Sequence, residues 1–74
     1  MTFEIYFEHI PYIARENFLT ACGRYEYILS DIFTIRREQE LAKFNCKRFR
    51  NHQDELVYEF ESEAHYNWFI MRWS

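Results

Sequence analysis

The side chains able to do chemistry are few and scattered. Cys22, Cys46, His9, His52 and His65 are the ligands a transition metal would prefer, but none stands in the close paired spacing of a structural zinc site. Acid–base hydrolysis needs two carboxylates in one cleft with separated pKa values. With 12 Asp and Glu residues chance pairs abound, and Glu59 and Glu61 share a strand face rather than a cleft. A cysteine–histidine nucleophile would have to use Cys46 with His52, yet the strand phase turns Cys46 inward, away from where a thiolate can react. Among the serines, Ser62 reads as a helix cap, Ser74 is the last residue given and Ser30 has no histidine beside it in sequence. Gly23 is the only glycine, so no phosphate loop, dinucleotide fingerprint or nucleophile elbow can be written. The expectation is a chain with no catalytic residues, no metal and no cofactor.

These residues must be positioned by a chain of 74 residues, read as one domain over 1–74. So short a chain is marginal unless its core is dense. Eight Phe, six Tyr and two Trp meet that need, because each ring buries roughly 150–250 Å². They are more rings than so small an interior hides, so some are expected at the surface, as in binding patches. A net charge of -3 argues against non-specific binding to nucleic acid or anionic membrane. No CxxC occurs, Met1-Thr2-Phe3-Glu4 lacks the basic region and apolar run expected of a leader peptide, and no apolar run approaches the ~20 residues of a membrane span. A reducing, cytoplasmic setting is expected, with both cysteines as small buried hydrophobes.

The hydropathy pattern predicts an α+β fold, a small antiparallel sheet of three or four strands with two helices on one face, in the approximate order β-α-β-β-β-α. Residues 2–9 read as a strand, with Phe3, Ile5 and Phe7 alternating with Glu4, Tyr6 and Glu8. Pro11 opens a helix over 12–22, with Ala14, Phe18, Ala21 and Cys22 on one side, and Gly23 is placed for a left-handed cap. Residues 24–41 fit two patterns. Tyr25, Ile28, Leu29, Ile32 and Phe33 match a helical stripe, whereas Ile32, Thr34 and Ile35 are β-branched. The reading adopted is an irregular 24–30 and a strand at about 31–37, with one long helix from 25 to about 42 as the rival. Ala42, Phe44 and Cys46 then alternate with Lys43, Asn45 and Lys47, and Leu56, Tyr58 and Phe60 with Val57, Glu59 and Glu61. The polar stretch 50–54 between them makes a hairpin that pairs a basic outer set with an acidic one.

The last element predicts function. Ser62 caps a helix that runs to Trp73, flanked by Glu61 and Glu63. At about 100° per residue, Tyr66, Phe69, Ile70 and Trp73 form one apolar arc and Ala64, Trp68 and Met71 a second. A small domain covers one side of a terminal helix, so the second arc is expected to meet a partner. Tyr66, Trp68, Met71 and Trp73 are the expected anchors, of types enriched in interfaces, with Glu59 and Glu61 as a rim that steers toward a basic partner. The same helix could instead pair with its copy in a homodimer. The alternative class is binding of single-stranded RNA or DNA through Lys43, Phe44, Lys47, Arg48 and Arg50, where cations and rings interleave. A membrane role is not expected, since Arg72 is the one permanent cation of the last helix.

Phe60-Glu61-Ser62-Glu63-Ala64 through Trp68-Phe69-Ile70-Met71-Arg72-Trp73 resembles the strand-then-helix ending of small accessory proteins of tailed bacteriophages. The resemblance implies a compact acidic protein that binds and inhibits a host factor in the host cytoplasm, within the class that holds anti-CRISPR and other anti-defence proteins. It carries no functional residue over.

Overall fold

The computed structural model describes residues 1–27 and 30–74. Strand β1 spans Phe3–Tyr6, and Phe7–His9 follow as a 3-10 turn where the sequence pattern had continued the strand. Pro11, with no N–H to give, precedes α1 at Tyr12–Ala21. Ala14, Phe18 and Cys22 line its buried side. Gly23 ends it at a φ of +91°, the left-handed conformation that costs glycine least. A short α2, Arg24–Tyr27, follows. Arg24 grips the Glu16 carboxylate with both terminal nitrogens, Nη1 donating to Oε2 at 3.0 Å, and so ties α2 back to α1.

The strand expected at about 31–37 is a helix. Helix α3 spans Asp31–Ala42. Ser30 Oγ accepts the Ile32 N–H at 3.2 Å, a side-chain N-cap, and the helix formers Arg36 to Glu40 carry the helix on. The inward positions confirm the period, since Phe33, Arg37 and Glu40 are half-buried and Leu41 fully buried, while Ile32 and Ile35 face out. The β-branched residues that suggested a strand lie mostly on the solvent side, where packing does not select them. The rival single helix is not observed either, because α2 and α3 are separate elements. Ile28 and Leu29, which would have joined them, lie outside the described residues.

Ala42 therefore ends a helix, and Lys43 and Phe44 turn the chain. Asn45, at a φ of +50°, leads into β2 at Cys46–Arg50. A loop closed by Asn51, whose Oδ1 accepts the N–H groups of Gln53 and Glu55 at 2.9 Å each, returns the chain as β3 at Leu56–Phe60. The sheet order is β1-β3-β2, antiparallel throughout. Ser62 then caps α4, Glu63–Trp73, by accepting the His65 N–H at 3.3 Å. The fold is α+β as expected, with three strands. Among the described residues there are four helices rather than two, and one strand fewer in the order than predicted.

The register gives the sheet two faces. Phe3, Ile5, Tyr58, Phe60 and Cys46 point toward the helices and meet Phe18 of α1, Leu41 of α3, and Phe69 and Trp73 of α4 in the core. Rings dominate the contact. Phe69 sits edge-on to Phe18 and Phe44 with centroids 5.1 and 5.4 Å apart, and it tilts against Phe60 at 5.4 Å. Such pairs contribute about 0.5–1.5 kcal/mol beyond their burial. Asn17 Nδ2 donates to the Trp73 carbonyl at 2.7 Å and closes the end of α4 against α1.

Candidate functional site

Helix α4 presents its two arcs as the periodicity required. Phe69 and Trp73 are buried and Tyr66 and Ile70 half-buried, with Tyr66 against Phe3 and Phe60. The other arc is at the surface, with Trp68 56% and Met71 78% exposed. They stand one turn apart on the same side. Trp68 is not loose, because its ring meets Phe44 edge-on at 5.2 Å and Phe44 is buried in turn on Phe69. Four expected anchors thus divide. Trp68 and Met71 come together outside, whereas Trp73, at 6% exposed, and Tyr66 belong to the core and its margin.

The acidic rim divides as well. Glu61 is exposed at the start of α4, where its carboxylate accepts from Asn45 Nδ2 at 2.6 Å. Asn45 also meets His65 Nε2 at 3.2 Å, and His65 Nδ1 lies 2.7 Å from Ser62 Oγ. This polar knot joins the start of β2 to the cap of α4, and Ser62 serves as the cap expected of it. Glu59 instead faces the helix-free side of the sheet.

The basic segment 43–50 is broken up by local geometry. Lys43 is off the sheet and pairs with Glu40 at 3.0 Å, and Phe44 is in the core. Lys47 projects from the open face opposite Glu59, so the two are the opposite-charge neighbours expected of the hairpin, though not ion-paired with each other. Arg48 and Arg50 point to the other face, because successive strand residues alternate. Arg48 lies opposite Tyr58, whose hydroxyl burial pushes up to about 12 against the opposing pull of the Arg48 and Arg37 guanidiniums. Strand pleating thus sends the expected nucleic-acid contacts in different directions.

The two thiols are buried and free. Burial pushes Cys22 up to about 11 and Cys46 up to about 12, so neither is a thiolate near neutral pH. Among the described residues no three His, Cys, Asp or Glu side chains come together as a metal site. Nor is any helix there long and apolar enough to cross a membrane.

The sequence reading missed the open face of the sheet. Glu4 and Tyr6 of β1, Val57 and Glu59 of β3, and Lys47 and Phe49 of β2 share it. A cavity of about 350 Å³ opens there, lined by Glu4, Ile5, Tyr6, His9, Phe49, Asn51 and Val57. Alternation alone placed Tyr6 with Glu4 and Val57 with Glu59, but only the register sets the two strands and β2 side by side. Comparison with protein-family models, with curated proteins and with solved structures found no match for the chain.

Proposed function

We propose that this chain is a protein-binding module whose contact surface is the outer arc of α4. The observation that carries the reading is the pairing of Trp68 and Met71, both largely exposed on a helix whose opposite arc packs in the core and its margin. An indole that is exposed yet held by Phe44 has little conformational freedom left to lose on docking, the usual condition of an interface anchor. The reading requires no catalytic group and no cofactor. The finer reading, a phage-encoded stoichiometric inhibitor that occludes a host enzyme or defence complex in the host cytoplasm, rests on the resemblance of residues 60–73 and on nothing else. A homodimer through the same arc is the second occupant of this surface. The nucleic-acid reading has less support, since Lys47 faces an acidic neighbour and Arg48 and Arg50 lie on the opposite side of the sheet.

The test is capture from bacterial lysate by the tagged protein, with and without nuclease, beside a Trp68→Ala variant checked for folding by circular dichroism. One protein retained near stoichiometrically, insensitive to nuclease and weakened about 30-fold or more by the substitution is expected, corresponding to an anchor of about 2 kcal/mol or more. Unchanged capture by a folded Trp68→Ala protein would remove α4 from the interface. Loss of capture with nuclease would move the nucleic-acid reading ahead. Light scattering that shows a dimer dissociating on Trp68→Ala would assign the arc to a second copy.

A further inference from the structure

The register arranges the open face of the sheet in two rows. Tyr6, Val57 and Phe49 stand opposite one another across β1, β3 and β2, and two residues along stand Glu4, Glu59 and Lys47. Val57 is only 4% exposed and takes no part in the main core cluster. Its cover comes from this face, where Tyr6 and Phe49 flank it and remain partly open to solvent. His9 meets the Tyr6 ring edge-on at 5.5 Å. The result is a cavity of about 350 Å³ whose lining includes Tyr6, Phe49, His9, Glu4 and Asn51, while Glu59 lines the neighbouring cavity with Lys47.

The charged row breaks a local rule. Like charges placed directly opposite on neighbouring strands repel, and Glu4 faces Glu59. Lys47 stands on the far side of Glu59 from Glu4, and among the described residues neither carboxylate is in an ion pair. The two carboxyls share a hydrogen bond, a cation from outside would take the place of its proton, and the rings beside them offer electron-rich faces to the same charge. The cavity is at the small end of ligand clefts and suits one side chain rather than a whole ligand. A phosphate backbone would meet the two carboxylates and be repelled.

We propose that this face binds an arginine side chain of a partner protein, with the guanidinium lying along the rings of Tyr6 and Phe49 and bonded to Glu4, the carboxylate that lines the cavity, while Glu59 next to it in the row adds negative charge. A planar, weakly hydrated guanidinium can stack on rings and offer parallel N–H donors to carboxylates, whereas an ammonium is a compact, strongly hydrated charge. This site does not rest on the α4 reading, since helix and open face lie on opposite sides of the core.

The experiment is a titration of the full isotope-labelled chain, followed by amide chemical shifts, with the peptide acetyl-Ser-Arg-Ser-amide. A control peptide carries citrulline, the neutral isostere, in place of arginine. The expected result is saturable shifts centred on Glu4, Tyr6, Phe49, Val57 and Glu59, at least tenfold weaker with citrulline. They should be lost in a folded Glu4→Gln/Glu59→Gln variant and kept in Ile35→Ala, an exposed position on α3. Equal responses to arginine and citrulline would overturn the proposal, as would shifts centred elsewhere or no saturable response at millimolar peptide. So would a hexathymidylate that saturates the same amides while the arginine peptide does not.

Discussion

The Glu4–Glu59 pair is where a single residue reports most directly on the molecule. The Glu4 carboxyl is held above the usual carboxylate range, first by the hydrogen bond it shares with Glu59, then by lost solvent and by the neighbouring charge. A carboxyl whose pKa is raised on folding favours the folded state below its unfolded pKa, and that contribution is lost as pH rises through the raised value. Once the Glu4 carboxyl ionises, the hydrogen bond to Glu59 is lost and a charge is left facing an acidic side chain across the strands. Glu4→Gln is therefore expected to raise Tm at pH 7, with the gain shrinking toward zero as pH falls below about 4. Thermal melts of both proteins across pH check this, and a Tm lowered at pH 7 would mean the pair is held by an interaction other than the shared proton. Glu16 shows the opposite sign. The Arg24 guanidinium holds its carboxyl below the usual range, so its contribution is present above the unfolded pKa and lost as pH falls through the lowered one. In Arg24→Ala, stability should lose this part of its acid dependence, and the measurement is the same series of melts.

At the scale of the element, the turn between α1 and α2 depends on Gly23. Its φ of +91° is unfavourable for any residue with a Cβ, and a Cβ built there would lie 2.6 Å from Cδ2 of Tyr27. Gly23→Ala is expected to cost roughly 1–2 kcal/mol from the backbone alone, and more if the Tyr27 ring cannot swing aside. Chemical denaturation would show the midpoint falling with the slope unchanged. This turn was readable from sequence because an only glycine after an apolar helical stripe has few other uses. The helix start at Ser30 was not read. A serine before Asp31-Ile32-Phe33 is a cap or a loop residue by composition alone, and the β-branched run after it favoured a strand. What separates the two is which of Ile32, Phe33 and Ile35 faces the core, and that depends on how α3 lies against β2 rather than on the segment itself.

At the scale of the whole molecule, the 74 residues hold a total stability of about 4–11 kcal/mol, at ~0.05–0.15 kcal/mol per residue. Phe69 lies at the centre of the ring cluster, touching Phe18, Phe44 and Phe60. Phe69→Ala is expected to cost about 3–5 kcal/mol, enough to unfold the chain at the low end of that stability range, whereas Trp68→Ala one position earlier should leave the far-UV spectrum unchanged and cost far less, about the 0.5–1.5 kcal/mol of its edge-on pair with Phe44. Circular dichroism melts of the two variants side by side test the assignment of the arcs, and equal losses would show that Trp68 is structural after all. The period of α4 was legible because a run of large apolar residues with so few polar breaks can bury one side only. The hairpin β2–β3, the first strand and the inward thiols were legible for the same kind of reason, since alternation at a period of two is a local property of the chain. Which arc of α4 meets the core was not, because Tyr66–Trp73 and Trp68–Met71 are equally apolar, and the choice falls to the rings of Phe18, Phe44 and Phe60 supplied by distant elements. The open face was hidden for a related reason. Composition shows Glu4, Tyr6, Phe49, Val57 and Glu59 as unremarkable surface candidates, and only strand register, set by the packing of the opposite face, brings two carboxylates and two rings from three strands to one place.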